Sequence, residues 1–108
     1  MSDFVITQKN NHIFEIILNR PDKRNAMNWE LMNGLESAID QAENLPDVRA
    51  VIVRGEGKGF SAGIDLMGFN DMITVYGEGW RDHLFPLTAT YQRILGKFEK
   101  SRHPTIIL

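Results

Sequence analysis

The stretch Arg49–Leu66, with the sequence RAVIVRGEGKGFSAGIDL, decides the fold. It opens with the short apolar run Arg49–Arg54, which is typical of a strand covered on both faces. The nine residues Gly55–Gly63 that follow include four glycines and must form a loop. In α/β sheets ligands bind beyond the ends of strands, so this glycine loop is the first candidate for a functional site.

The glycine loop does not match the two best-known phosphate-binding loops. A dinucleotide fingerprint that starts at Gly55 needs a glycine at position 60, where the sequence has Phe60. A P-loop needs Ser or Thr after Gly-Lys, but Lys58 is followed by Gly59. Taken by itself, the loop is as consistent with a flexible connector as with a binding site.

The residues before this strand predict an α/β fold. Phe4–Gln8 and His12–Leu18 flank the turn signal Asn10-Asn11, which predicts a β-hairpin. After a polar loop, apolar residues recur at helical spacing over residues 29–44, with Asn28 as the N-cap. Strand, helix and strand in succession then form a β-α-β unit, whose crossover is expected to be right-handed.

The C-terminal part predicts one more helix and one more strand. Apolar positions recur at helical spacing over residues 80–98, and Pro86 is expected to begin or kink this helix. His103-Pro104 should end it, and residues 105–108 form a β-branched apolar run. Because domains rarely end inside a buried strand, we expect the chain to be truncated at its C-terminus.

Composition limits the classes of function. With 12 basic and 14 acidic residues the formal net charge is −2, which argues against a nucleic-acid binder. The absence of cysteine excludes disulfides, zinc–thiolate sites and a thiol nucleophile. The sequence has no signal peptide and no apolar run near the roughly 20 residues that span a bilayer. We therefore expect a soluble, cytoplasmic protein that binds neither nucleic acid nor membranes.

Three segments together resemble the crotonase (enoyl-CoA hydratase/isomerase) superfamily. Phe60–Leu66, FSAGIDL, is similar to its signature F-(S/C)-A-G-x-D-(L/I). Leu18–Asn28, LNRPDKRNAMN, resembles its segment L-N-R-P-x-x-x-N-A-(L/M). Asp47–Gly55 lies between these two segments and resembles the superfamily's strand at the same place in the order. The resemblance covers essentially the whole chain and implies an α/β class fold. Residues 1–108 would form the N-terminal β-α-β portion of the spiral crotonase (ClpP/crotonase-like) fold.

The resemblance implies a role for the residues after the glycine loop. The backbone N–H of Ile64 would be one of two donors that stabilise the oxyanion of a thioester carbonyl in an acyl-CoA substrate. Ala62 and Gly63 would keep the approach to the thioester open, and Leu66 would also contact the substrate. The segment Ile64-Asp65-Leu66 is expected to open a helical turn that Asp65 caps, in preference to a proton-transfer role for Asp65.

The resemblance also places the adenine and phosphates of CoA against residues 23–27. Arg24 is the predicted phosphate ligand because a guanidinium forms forked, charge-assisted hydrogen bonds with phosphate, and Lys23 and Lys58 would assist. Ala26 is small enough to line an adenine slot. Without this context, Arg20, Lys23 and Arg24 would be expected to be a solvated cluster.

Histidines and aromatic residues are weaker candidates. His12 and His103 are expected to be structural, whereas His83 lies on a helix that lines the acyl pocket in related enzymes. The aromatic side chains expected in the core or the pocket wall are Trp80, Phe85, Tyr91 and Phe98.

The superfamily's second oxyanion donor and acid/base carboxylates would lie beyond Leu108. We therefore expect the chain alone to be inactive and its parent to hydrate or isomerise an enoyl-CoA, with CoA as part of the substrate and no tightly bound cofactor. The resemblance also implies a homo-oligomer, either a trimer or a hexamer. The alternative is a non-catalytic CoA-binding or assembly module of the same fold.

Overall fold

The computed structural model describes residues 3–108, and for residues 68 and 69 the backbone only. Four strands form one sheet in the order β1-β2-β3-β4. The strands are β1 (Val5–Asn10), β2 (Ile13–Leu18), β3 (Ala50–Gly55) and β4 (Thr105–Ile107), and the helices are α1 (Trp29–Glu43), α2 (Met67–Tyr76) and α3 (Leu84–Lys100). Short 3-10 segments cover Pro21–Lys23 and Gly77–His83. The predicted α/β class is confirmed.

The first two strands form the predicted hairpin, with its turn one residue later than expected. β1 pairs antiparallel with β2 from Val5 opposite Leu18 to Asn10 opposite Ile13. The turn is therefore Asn11-His12, and Asn11 has a φ of 57°. Asparagine tolerates this left-handed conformation better than most residues, so either asparagine was a reasonable turn residue.

The helix α1 is the crossover of the β-α-β unit, because β2 and β3 pair in parallel. The Asn28 side chain caps it by accepting a hydrogen bond from the Leu31 N–H at 2.9 Å. Its buried face consists of Leu31, Met32, Leu35, Ala38, Ile39 and Ala42, which recur at helical spacing. This face packs against one side of the sheet to make the core, in which Ile16 and Val51 have no exposed surface.

The expectation that β3 is covered on both faces is wrong for the described chain. Val51 and Val53 are buried on the side of α1, but Ile52 is only half-buried on the opposite side. On that side of the sheet, Ile13 and Ile106 are 42% and 49% exposed. The apolar run therefore reflects one face packed on α1 and a second face that is only partly covered, since Ile17 on that face is 3% exposed.

Helix α3 begins later than the sequence indicates, at Leu84, and Pro86 lies in its first turn, where its missing N–H costs no helical hydrogen bond. The prediction that Phe85 lies in the core or pocket wall is wrong, because Phe85 is 80% exposed. Tyr91 and Ile94 are the buried residues of α3. β4 follows and pairs in parallel with β3. Over residues 3–108, no helix is both long and apolar enough to cross a membrane.

Replacing Asn28 by alanine should lower the free energy of unfolding by about 1 kcal/mol, because the N–H of Leu31 loses its cap. Chemical denaturation followed by circular dichroism measures the loss. Asn33→Ala is the matched control, since Asn33 is exposed in the interior of α1 and caps nothing. Equal losses in the two variants would show that the cap contributes no stability.

Candidate functional site

The structure brings together the two segments that carry the family resemblance. The upstream loop (residues 19–28) and the glycine loop pair through their backbones. The Ala62 N–H donates to the Arg24 carbonyl at 2.8 Å, and the Met27 N–H donates to the Gly63 carbonyl at 2.7 Å. Residues that are far apart in the sequence thus form one continuous surface.

Asn25 holds the two loops together. Its side chain is completely buried. Its Oδ1 accepts from the Arg20 N–H at 2.7 Å, while its Nδ2 lies 2.9, 3.3 and 3.0 Å from the carbonyl oxygens of Glu56, Gly59 and Phe60. Sequence reasoning placed Asn25 in the motif but missed this role. An asparagine in a polar loop is a weak signal for it, because such residues usually face water.

Gly55 and Gly63 cannot be replaced by residues with a side chain, for two different reasons. A Cβ at Gly55 would lie 2.4 Å from the Phe60 carbonyl oxygen and 2.7 Å from the Asn25 Nδ2, so no larger residue fits. A Cβ at Gly63 would meet nothing within 4 Å, but Gly63 has a φ of 93°. Gly63 is therefore required for its backbone conformation, which side chains rarely adopt.

The backbone N–H of Ile64 points away from Met27. Met27 and Ile64 form an isolated parallel bridge, made by the Met27 N–H to the Gly63 carbonyl and by the Asp65 N–H to the Met27 carbonyl at 3.1 Å. In such a bridge the groups of Ile64 itself face the other side. Its N–H has no hydrogen-bond partner among the described residues. The side chain of Ile64 is 53% exposed. This amide is available to a ligand.

Asp65 is held by an ion pair that the sequence did not reveal. Its carboxylate accepts from the Arg20 Nη1 at 2.6 Å and from the Met67 N–H at 2.9 Å. Asp65 is not the N-cap of α2, as predicted for the helical turn; the helix begins at Met67 with Leu66 as its N-cap, and Asp65 precedes Leu66 and bonds the first helical amide. The prediction of a helical turn opening at Ile64 is wrong, because Ile64 is in the bridge. The Arg20 guanidinium lowers the pKa of the Asp65 carboxyl, and the Met67 N–H lowers it further. Asp65 is therefore ionised at neutral pH.

Arg20 differs from the other two cations of the upstream loop. The side chains of Arg20 and Asp65 are each 13% exposed, so Arg20 is not part of a solvated cluster. Lys23 and Arg24 are exposed, and neither side chain makes a hydrogen bond or ion pair with a described residue. Two cations of this loop are thus available to an external anion, and the third is engaged inside the protein.

The remaining predicted site residues lie around this junction. Ala26 is half-buried, and its carbonyl accepts from the Arg20 Nη1 at 2.9 Å. Lys58 lies exposed in the glycine loop. Leu66 is 74% exposed beside the start of α2.

An open cleft of about 840 Å³ lies beside the ion pair, between the first turn of α1, helix α2 and the start of α3. Arg20 and Asp65 line it, together with aromatic and aliphatic side chains such as Trp29 and Leu87. The Tyr91 ring stacks on Trp29 with 6.1 Å between centroids, and burial raises the pKa of the Tyr91 phenol. The cleft combines apolar walls with the Arg20–Asp65 pair and two further carboxylates, Glu30 and Asp71.

The histidines lie at three separate places. His83 lines the cleft and stacks on Tyr76 with 3.5 Å between centroids, but it belongs to the 3-10 segment before α3. His12 is hydrogen-bonded through Nδ1 to the Asp47 carbonyl at 2.8 Å. His103 is buried after α3.

The chain is similar in sequence to known proteins. Residues 8–94 match the family model described as enoyl-CoA hydratase/isomerase. The chain is 36% identical over 107 residues to the mitochondrial Δ(3,5)-Δ(2,4)-dienoyl-CoA isomerase of Rattus norvegicus, covering 94% of this chain and 32% of that protein. It is 47% identical over 64 residues to a probable enoyl-CoA hydratase of Mycobacterium tuberculosis, covering 59% of this chain and 25% of that protein.

The fold is shared with solved structures. A crystal structure of an enoyl-CoA hydratase/isomerase from Xanthobacter autotrophicus Py2 superposes with a TM-score of 0.84 at 32% identity. The superposition covers 96% of this chain and 37% of that one. It confirms the fold that the sequence motifs implied. The chain spans about a third of the length of the curated relatives it matches, such as 32% of the rat isomerase.

The ion pair predicts a pH-dependent stability. Because the folded pKa of Asp65 is lowered, its stabilisation is fully present above the unfolded value of about 4 and is lost as the pH falls through the folded pKa. Asp65→Asn should lower the free energy of unfolding by about 1.5–3 kcal/mol at pH 6, the range for hydrogen bonds to charged groups. The difference from the unmodified protein should shrink toward pH 3.

Urea denaturation at several pH values measures this difference. Asp22→Asn is the control, because Asp22 is exposed in the first 3-10 segment and forms no ion pair with the described residues. A difference for Asp65→Asn that stays constant from pH 6 to pH 3 would contradict the assignment.

Proposed function

The chain belongs to the enoyl-CoA hydratase/isomerase family, and we propose that it forms the acyl-CoA thioester-binding part of an enzyme of that family. The unpaired N–H of Ile64, between the positive φ of Gly63 and the anchored carboxylate of Asp65, carries the proposal. The names of its relatives, a dienoyl-CoA isomerase and an enoyl-CoA hydratase, favour an enoyl-CoA thioester as the substrate. Hydration or double-bond isomerisation is the proposed reaction of the whole enzyme.

In this proposal the Ile64 N–H donates to the thioester carbonyl oxygen as negative charge develops there. A preorganised donor of this kind contributes about 2.7–4 kcal/mol to transition-state stabilisation. Asp65 is a poor proton acceptor in this proposal, because the hydrogen bond from Arg20 lowers the pKa of its carboxyl. The second donor and the acid/base carboxylates are proposed to come from outside the chain, so residues 1–108 alone should not turn over substrate.

The CoA moiety would bind across the upstream loop. Arg24 is the proposed phosphate ligand, with Lys23 and Lys58 beside it, and Ala26 lines the adenine slot. The exposed side chains of Lys23 and Arg24 have no internal ion pair to break when they bind phosphate. CoA is part of the substrate in this scheme, and no tightly bound cofactor is needed.

The acyl group would enter the cleft. Asp65 and Met67, which follow Ile64 almost directly, line it, so an acyl chain whose carbonyl is bound at Ile64 begins at the cleft wall. Trp29, Leu87 and Tyr91 offer apolar surface to the chain. Ala62, Gly63 and Leu66 would border the thioester. Assembly into a homo-oligomer and a cytoplasmic location remain predictions.

Arg24→Ala should weaken acyl-CoA binding by about 1.5–3 kcal/mol, because a charge-assisted hydrogen bond to phosphate is lost. Isothermal calorimetry with a non-reactive acyl-CoA measures the change. Arg49→Ala is the matched control, since it removes an exposed arginine at the opposite end of β3. Equal affinities for the two variants would remove Arg24 from the CoA site.

Substitutions at Ile64 distinguish a role of its backbone N–H from a role of its side chain. In the full-length enzyme Ile64→Ala should keep most of the activity, while Ile64→Pro should abolish it, because proline lacks the N–H. Proline also restricts Gly63, so a second variant replaces Ile64 by its α-hydroxy acid. This variant removes the donor without a proline ring and also weakens the Gly63 carbonyl as the acceptor of the Met27 N–H. A loss of kcat of about 100- to 1000-fold is expected for this ester.

Steady-state turnover of a short enoyl-CoA measures kcat for each variant, after circular dichroism has shown that the variant folds. Full activity of a folded ester variant would exclude the Ile64 amide from the oxyanion hole. A full-length protein that binds acyl-CoA but turns over no enoyl-CoA would instead favour the non-catalytic CoA-binding module.

A further inference from the structure

We infer that Arg20 is a positioning residue, which sets the Ile64 amide by anchoring the carboxylate of the next residue, Asp65. The inference rests on the proposed function, because it concerns the donor that would bind the thioester oxygen. Arg20 follows β2 and Asp65 follows the glycine loop, so the pair joins segments that are 45 residues apart.

The peptide bonds around Ile64 are fixed at three points. The Gly63 carbonyl and the Asp65 N–H are both bonded to Met27, at 2.7 and 3.1 Å. The Asp65 side chain is fixed to Arg20 at 2.6 Å. The Ile64 N–H belongs to the Gly63–Ile64 peptide, which Met27 holds through the Gly63 carbonyl. The ion pair limits the movement of Asp65 on the other side of Ile64 and so helps to keep this bridge in place.

Arg20 is itself held, and this distinguishes it from a CoA ligand. Its Nη1 donates to the Ala26 carbonyl at 2.9 Å as well as to Asp65, and its guanidinium lies 5.3 Å from the centre of the Phe4 ring. Only 13% of its side chain is exposed. Most of the Arg20 side chain is therefore shielded from solvent, whereas the Arg24 side chain is exposed.

The Arg20–Asp65 ion pair also determines the net charge beside the Ile64 amide. Asp65 lies in the cleft wall, one residue from the amide where negative charge would develop on the substrate. Without Arg20, its carboxylate would be an uncompensated charge of the same sign as that oxyanion, in a partly dehydrated site where such repulsion is strong. Arg20 thus both orients the donor and compensates the negative charge of the adjacent residue.

The test compares Arg20→Met with Arg20→Lys and with the double variant Arg20→Met/Asp65→Asn in the full-length enzyme. Arg20→Met should lower kcat about 10- to 100-fold with little change in KM, because the donor is misplaced while CoA contacts remain. Arg20→Lys should recover part of kcat by restoring the charge. The double variant should also recover part of it, since the unpaired carboxylate is gone, although no hydrogen-bonded ion pair has been rebuilt.

Arg93→Met is the control for a merely structural loss, because Arg93 pairs with Glu36 between α1 and α3, away from the cleft. It should leave kcat unchanged. If Arg20→Met does not fold, Asp65→Asn takes its place, and the carbonyl stretch of a bound ¹³C-labelled thioester reports how strongly the amide polarises it. The expected result is a smaller shift to low wavenumber than in the unmodified enzyme.

The outcomes separate this inference from the proposed function. An effect on KM alone would make Arg20 a CoA ligand and overturn the positioning role, as would an unchanged kcat or an unchanged carbonyl shift. A double variant no better than Arg20→Met would overturn the charge-compensating role. If the unmodified full-length protein binds no acyl-CoA and turns over no enoyl-CoA, the proposed function itself fails.

Discussion

The amide side chain of Asn25 is fully buried, so its donors and its acceptor must all find partners inside the protein. They find them in the backbone of the upstream loop and of the glycine loop, which fixes the distance between the two. Gly55 follows from this constraint, because any Cβ there would collide with the Asn25 amide. The Met27–Ile64 bridge lies two residues beyond Asn25, and the direction of the Ile64 N–H depends on it.

The three cationic side chains of the upstream loop differ in their exposure to solvent. Arg20 lies inside and is paired with Asp65, whereas Lys23 and Arg24 lie outside without an internal partner. A buried cation needs a fixed anion, because desolvation of an unpaired charge is costly. An exposed cation without a partner is free to exchange water for a phosphate. The same loop can thus stabilise the fold and bind a ligand with chemically similar residues.

Local patterns predicted much of the fold, because hairpin turns, helix caps and helical spacing depend on neighbouring residues. The capped start of α1 at Asn28 and the parallel strand after it are examples. The contacts that define the site are different. The Arg20–Asp65 pair spans 45 residues, and only the folded chain reveals that most of this arginine's side chain is covered. The turn expected at Ile64 failed for the same reason, since a distant partner, Met27, holds that residue extended.

The side chain of Ile64 contributes little to the fold, since more than half of it is exposed. The residues on either side are constrained: Gly63 by its positive φ, and Asp65 by Arg20 and the first amide of α2. A site that works through a backbone N–H must show this pattern, because the donor is present in every residue except proline while its direction is set by its neighbours. The chemical information at this site therefore lies in the residues beside the donor and in the distant side chains that hold them.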